Sequence, residues 1–165
     1  MATIDRREVL RNGWRVGGGL LVVAAGWTAW ESLRPLAKTG AKTSLKLGNV
    51  GRFEAGTATY VPEGRLWVAN TGTKIFALSQ KCPHLGCRVP FCESSGRFEC
   101  PCHGSVFDLG GEWITGPSPR GMDQFPLSVE GSDLVADLTT TITGPPRGSS
   151  VYLTPPKGAS CAPKG

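Results

Sequence analysis

The sequence predicts an all-β domain preceded by a single N-terminal transmembrane helix. Short β-type runs follow one another closely between residues 43 and 138, and the turn signals PEG, NTGT, SSG, LGG and EGSD separate them. The chain of 165 residues contains 23 glycines and 13 prolines, which favours a turn-rich β-domain over a helical bundle. After the apolar N-terminal segment, no long run has helical periodicity, and no internal repeat is present.

Eight short strands are predicted in the head of the protein, which is placed at residues 45–143. They are Thr43–Leu47, Ala58–Val61, Leu66–Ala69, Lys74–Leu78, Arg97–Cys100, Glu112–Ile114, Leu127–Val129 and Leu134–Leu138. The tail, residues 144–165, is rich in proline, glycine and serine and has no periodicity, so it is expected to wrap the surface or hang loose.

The segment Val16–Trp30 contains no charged residue, and residues 13–33 are predicted to be a transmembrane anchor. Three tryptophans fit the two edges of such a span: Trp14, Trp27 and Trp30. Four arginines precede the apolar run, namely Arg6, Arg7, Arg11 and Arg15. The positive-inside rule therefore places residues 1–12 in the cytoplasm and the head on the outer or periplasmic side of the cell membrane. A cleaved signal peptide is the alternative, but no convincing cleavage site follows the run.

Residues 34–44 are polar and small, and they are predicted to form a flexible tether between anchor and head. The pair Arg6–Arg7 resembles the twin-arginine export motif, although Asp5 and Val9 depart from it. That pathway carries folded proteins, as a cofactor inserted in the cytoplasm would require. The net charge of +5 includes no basic stripe with interleaved aromatics, so nucleic-acid binding is not predicted.

Two boxes hold most of the chain's metal-ligand chemistry. CPHLGC begins at Cys82 and CPCHGS begins at Cys100, and each delivers one cysteine and one histidine, His84 or His103, from a tight loop. Two cysteines and two histidines can bind a tetrahedral zinc ion, or a two-iron, two-sulfur cluster with the thiolates on one iron and the imidazoles on the other. Mixed Cys-x-His loops are unusual for zinc, and the spacing favours the cluster.

These paired boxes resemble those of Rieske iron–sulfur proteins, specifically the quinol-oxidising branch in cytochrome bc-type complexes. The resemblance implies an antiparallel β-sandwich head with inserted cluster-binding loops, at about residues 79–121, and a 2Fe–2S cofactor. It implies that Cys82 and Cys100 ligate the inner iron and that His84 and His103 ligate the outer iron. The two remaining cysteines of the boxes, Cys87 and Cys102, would form a disulfide.

The same resemblance assigns residues around the cluster. Leu85 would cap it, and Gly116-Pro117-Ser118-Pro119 resembles the proline loop that shields its third side. Ser105 occupies the position of a hydroxyl that donates to a bridging sulfide. Where high-potential members have a second donor, a tyrosine, this chain has Phe107. A lower potential is therefore predicted, which matches menaquinol better than ubiquinol.

The resemblance implies an electron-transfer subunit of a quinol–cytochrome c oxidoreductase that is not catalytic alone. Its partners would be a cytochrome b-type membrane subunit, a quinol and a c-type cytochrome. His103, with His84 also facing solvent, would accept a hydrogen bond and then a proton from quinol, and the tethered head would swing to the haem. The alternatives are the Rieske subunit of an exported molybdenum oxidase such as arsenite oxidase, and a zinc or disulfide domain without redox function.

Two cysteines have no place in the family motif. Cys92 lies between the boxes and Cys161 lies in the tail. On the outer side of a membrane an even number of remaining cysteines indicates a bond, so a second disulfide, Cys92–Cys161, is predicted. Two free thiols are the alternative.

Overall fold

The computed structural model describes residues 5–33, 43–149 and 155–161. The chain divides into two compact units, Met1–Ala41 and Lys42–Gly165. Most of the predicted tether, residues 34–42, lies outside the described residues, as do residues 150–154 and 162–165 of the tail.

The N-terminal unit contains one long helix, α1 (Arg6–Leu33). The side chain of Asp5 caps its start by accepting a hydrogen bond from the N–H of Arg7, at 3.0 Å. None of its residues is buried, and large apolar side chains such as Leu21 and Val22 are 73% exposed. Within the described residues, no helix combines the length and the apolar character needed to cross a bilayer. The transmembrane span therefore stays a prediction.

The head consists of eleven strands in the described residues. They are β1 (Ser44–Asn49), β2 (Thr57–Val61), β3 (Leu66–Asn70), β4 (Ile75–Ser79), β5 (Phe91–Cys92), β6 (Arg97–Glu99), β7 (Val106–Phe107), β8 (Trp113–Thr115), β9 (Gln124–Phe125), β10 (Leu127–Glu130) and β11 (Asp133–Asp137). The described helical segments of the head are two 3-10 turns, Val50–Arg52 and Pro62–Gly64. The all-β, antiparallel fold class is thus confirmed.

The strands form three antiparallel sheets, in the orders β1-β11-β10, β2-β3-β4-β9 and β5-β6-β7-β8. Strand β3 explains how they stack, because its side chains alternate between two cores. Leu66 and Val68 pack into one core with residues of β1 and β11, whereas Trp67 and Ala69 pack into the other with residues of the β5–β8 sheet. The β2-β3-β4-β9 sheet is therefore the middle layer of the head.

The structure corrects two details of the predicted head. The eight predicted strands match eight observed ones, but β5, β7 and β9 were not predicted, because a two-residue strand is too short to show an alternating pattern. The region predicted as cluster-binding loops inserted in a sandwich contains a sheet of its own, β5-β6-β7-β8. The second ligand box connects β6 to β7 of this sheet.

Candidate metal centre

Both boxes lie in loops between strands. Box one (82–87) lies between β4 and β5, and it is closed by two backbone hydrogen bonds. The N–H of Cys82 donates to the carbonyl of Cys87 at 2.7 Å, and the N–H of Gly86 donates to the carbonyl of Cys82 at 2.9 Å.

Box two (100–105) lies between β6 and β7 and repeats this pattern position by position. The N–H of Cys100 donates to the carbonyl of Ser105 at 2.8 Å, and the N–H of Gly104 donates to the carbonyl of Cys100 at 3.1 Å. The fifth residue has a φ of +79° at Gly86 and +70° at Gly104. This backbone conformation favours glycine, and it explains why both boxes have glycine at that position.

The two predicted thiol ligands lie on the inner side of the boxes. Cys82 and Cys100 are free thiols that are only 3% and 2% exposed, and they belong to the core with Phe98 and Phe107. Burial raises the pKa of the Cys82 thiol, and the backbone N–H of His84 partly offsets this by favouring the thiolate. A bound metal would replace the thiol proton and hold the thiolate form.

The two predicted imidazole ligands lie on the outer side. The rings of His84 and His103 are perpendicular, with their centroids 4.9 Å apart. His84 is half-buried and His103 is exposed, and Leu85 beside them is 69% exposed. Two buried thiols on one side and two adjacent imidazoles at the surface form a donor set that fits a cluster with one thiolate-bound and one imidazole-bound iron.

A disulfide joins the two boxes. Cys87 and Cys102 are bonded, with their Cα atoms 6.6 Å apart. Their sulfur atoms lie within 4.8 Å of the Cys100 sulfur, so the bond packs directly beside a thiol of the donor set. This three-sulfur group is not a metal site, because two of its sulfurs are bonded to each other. The bond therefore restricts the distance between the two boxes, which lie in different loops.

The proline loop (Gly116–Pro119) packs against box two at Ser105. The N–H of Ser118 donates to Oγ of Ser105 at 3.0 Å, and both serines are fully buried. Gly116 has a φ of +92°, and a Cβ there would overlap the Cα of Ser105. Glycine is therefore required at this position both for its backbone conformation and for its close approach to box two.

Phe107 lies in β7, fully buried, and it pairs with Phe98 on one side and Trp113 on the other. Its ring fills the core beside Cys82 and Cys100, and it brings no hydrogen-bond donor to this core.

The second disulfide, Cys92–Cys161, is present in the structure and attaches the tail to β5. The buried carboxylate of Glu99 supports it by accepting hydrogen bonds from Oγ of Ser160 at 2.7 Å and from the N–H of Cys161 at 2.9 Å. A third donor is Oγ of Ser95, at 2.7 Å. Residues 155–161 of the tail thus run along the surface of the β5–β6 hairpin.

Three residues important to the site were not predicted from the sequence: Glu99, Trp113 and Arg147. Arg147 and Trp113 both donate to the carbonyl of Gly116, and Arg147 also donates to the carbonyl of Ser118. The only signal in the sequence is indirect. The loop GPSP contains two prolines without N–H groups, so its carbonyls need donors from elsewhere.

Comparison with known proteins identifies the family. The family model described as Rieske [2Fe-2S] domain matches residues 41–126. The cytochrome b6-f complex iron-sulfur subunit of Chlorobaculum thiosulfatiphilum is 33% identical over 130 residues, which cover 73% of this chain and 69% of that protein. The subunit of the same name from Chlorobaculum tepidum is 30% identical over 144 residues, covering 81% and 76%. A chain of a hyperthermophilic respiratory complex III is 28% identical, with a TM-score of 0.46, over 73% of this chain and 98% of that one. This chain therefore belongs to the Rieske family of two-iron, two-sulfur proteins.

Proposed function

We propose that this protein is the iron–sulfur subunit of a membrane complex of the cytochrome bc or b6f type. In this complex it accepts one electron from a quinol and passes it to a c-type haem. The observation that carries the proposal is the layered donor set, with the buried thiols of Cys82 and Cys100 on one side and the imidazoles of His84 and His103 at the surface. The names of the relatives support the type of complex.

In this proposal the thiolates of Cys82 and Cys100 would hold the inner iron, and the imidazoles of His84 and His103 would hold the outer iron. When bound, the cluster supplies a one-electron acceptor whose potential is raised because neutral imidazoles replace two thiolates. Ser105 would donate a hydrogen bond toward the sulfur atoms of the bound cluster, and Gly116 and Pro117 would exclude water from the side of the cluster that faces the proline loop. The Cys87–Cys102 bond keeps the boxes together in both redox states.

The surface imidazoles take part in proton transfer. His103 is exposed, so it can accept a hydrogen bond from a quinol hydroxyl and take its proton as the electron leaves the quinol. His84 is the adjacent candidate for the same role. Leu85 presents an apolar side chain next to them, which suits contact with the ring of a quinone and with the wall of its pocket in a cytochrome b-type subunit.

The quinol is proposed to be of low potential, such as menaquinol, because Phe107 provides no hydroxyl donor. A hydrogen bond that favours the reduced cluster by ~1 kcal/mol raises the midpoint potential by roughly 40 mV. Phe107→Tyr is expected to raise the potential by this order, as measured by redox titration. Phe91→Tyr, in strand β5 of the same sheet, is the matched control and should leave the potential unchanged. No rise for Phe107→Tyr would contradict the assignment.

The complex is proposed to lie in the cell membrane, with the head on its outer face. The four arginines before the apolar stretch of α1 support a cytoplasmic N-terminus, and residues 34–44 would let the head move between quinol and haem. Cross-linking this segment to a neighbouring subunit should abolish turnover while leaving the cluster intact. Unchanged turnover would rule out that movement.

One purification tests the whole proposal. The native protein is isolated from membranes, its partner subunits are identified, and the electron-spin resonance spectrum of the reduced sample is recorded. A rhombic two-iron signal together with a cytochrome b subunit is the expected result. A molybdenum-containing partner would replace the proposal by the oxidase alternative, and a bound zinc ion without a visible chromophore would reject electron transfer altogether.

A further inference from the structure

We propose that Arg147 is a positioning residue that clamps the proline loop onto box two and thereby sets the reduction potential of the cluster. The inference rests on the proposed function, since it assumes that the donor set holds a redox cluster. It assigns a role to a segment that, on sequence alone, belongs to an irregular tail. Four sets of contacts carry it.

The proline loop cannot stabilise itself. Pro117 and Pro119 have no N–H group, and the N–H of Ser118 is used to donate to Oγ of Ser105 at 3.0 Å. The hydroxyl of Ser118 donates outside the loop, to the carbonyl of Arg120 at 2.8 Å. The conformation of the loop therefore depends on donors from other parts of the chain.

Arg147 supplies those donors. Its Nε donates to the carbonyl of Ser118 at 2.6 Å, and its Nη2 donates to the carbonyl of Gly116. The guanidinium thus bridges the two carbonyls on either side of Pro117. It also stacks on the ring of Trp113, 4.6 Å from the centroid, and Nε1 of Trp113 donates to the carbonyl of Gly116 at 3.1 Å. Lysine does not reproduce these contacts, because its ammonium group has neither a planar pair of donors nor a flat face that stacks on an indole ring.

The backbone that carries Arg147 is itself held in place. The N–H of Gly121 donates to the carbonyl of Pro145 at 2.8 Å, and the N–H of Gly144 donates to Oδ1 of Asp123 at 3.0 Å. A Cβ at Gly144 would overlap the carbonyl of Gly121, so the two segments lie in close contact. Arg147 is consequently presented to the loop from an anchored segment, although it is far from the loop in sequence.

The last contact leads from the loop to the donor set. Oγ of Ser105 accepts from the N–H of Ser118, which leaves the hydroxyl hydrogen of Ser105 free to donate elsewhere. Ser105 is also joined to the donor set directly, because its carbonyl accepts from the N–H of Cys100 at 2.8 Å. A donor that points at cluster sulfur stabilises the reduced state. If the clamp is lost, the N–H of Ser118 is no longer held against Ser105, and this stabilisation weakens.

The experiment compares Arg147→Ala, Arg147→Lys and a matched control in the full-length, cluster-containing protein. Arg52→Ala is the control, because Arg52 also lies over an aromatic ring, Phe53, and donates to a backbone carbonyl, that of Leu47 at 3.2 Å. It does so at the other core, which includes Leu47 and Phe53 and none of the donor set. The measurements are the midpoint potential and the hydrogen-exchange rate of the Ser118 amide.

Arg147→Ala is expected to lower the reduction equilibrium constant at least threefold, which is ~30 mV for a one-electron couple, and to accelerate exchange at Ser118. Arg147→Lys keeps the charge but cannot bridge both carbonyls, so it should show at least half of this shift. Arg52→Ala should show neither change. Since Arg147 is at the surface, its charge alone is well screened and contributes little.

An unchanged potential in Arg147→Ala would overturn the inference. A wild-type potential in Arg147→Lys would also overturn the inference, because the positive charge, and not the two donors of the guanidinium, would then set the potential. If Arg147→Ala fails to fold, Trp113→Phe decides, because it removes one donor to Gly116 and keeps an aromatic ring; no shift in that variant rejects the clamp. A wild-type protein without the two-iron signal rejects the proposed function instead, while amide exchange at Ser118 still tests the clamp.

Discussion

The Cys92–Cys161 bond is expected to contribute a large share of the stability of the head. Its two cysteines are 69 residues apart in the sequence. In the chain-entropy model, a cross-link that closes a loop of this length restricts the unfolded chain by ~4 kcal/mol. The Cys87–Cys102 bond hardly reduces this value, because the route from Cys92 back to Cys87, across that bond and on from Cys102 to Cys161 is only about five residues shorter than the direct route.

The magnitude is tested with Cys161→Ala, which removes the bond and leaves the buried Cys92 in place. The carboxylate of Glu99 still has Oγ of Ser160 and the N–H of residue 161 as donors, so the tail retains part of its attachment. Bonds to a charged acceptor contribute ~1.5–3 kcal/mol each at most, and less where the tail is exposed. We expect the free energy of unfolding to fall by ~2–4 kcal/mol.

The assay is urea denaturation without reductant, followed by the fluorescence of Trp67 and Trp113 in the head. Ser160→Ala is the matched control, since it removes one hydrogen bond to Glu99 and keeps the disulfide. A difference of less than ~1 kcal/mol between Cys161→Ala and the wild type would refute the loop-closure reasoning. Alkylation of both thiols in the native, unreduced protein would show that the bond is absent.

Two further changes test the packing around the site. Burial raises the pKa of Asp108, which is 1% exposed, from 3.8 to about 6. The unfolded state therefore loses this proton first as the pH rises, so stability decreases between pH 4 and 6 and the deficit remains complete above pH 6. Asp108→Asn should unfold at higher urea than the wild type at pH 8, by up to ~3 kcal/mol, with the advantage disappearing near pH 4; an advantage independent of pH would contradict this cause. Gly116→Ala should cost ~2–4 kcal/mol and lower the yield of cluster, measured as iron per protein, because a Cβ would strain the backbone and overlap Ser105. Gly148→Ala, also at positive φ but with no atom within 4 Å, controls for strain alone and should retain its iron.

Much of the site could be predicted from short stretches of sequence, because its chemistry is local. Each box contains its own thiol, imidazole and turn glycine within six residues, and the longer strands have alternating patterns that a reader can recognise. The Cys92–Cys161 pair could also be predicted, although only by counting which cysteines remained. The hydrophobicity of the N-terminal segment indicated a membrane span, and in the described residues no helix meets the requirements for one.

The parts that could not be predicted are those whose partners are distant in the chain. Strands of two residues, such as β5, form because a neighbouring strand pairs with them. Two residues are too few to show the alternation that predicts a strand. Glu99 and Arg147 are ordinary charged residues in the sequence. In the folded chain Glu99 accepts hydrogen bonds from the tail. Arg147 donates to the carbonyls of Gly116 and Ser118, in a loop whose two prolines have no N–H group. The sequence by itself indicated the candidate ligands and the family, because both depend on short local motifs. Only the tertiary structure decided what holds the proline loop against box two, because the donors come from distant parts of the chain.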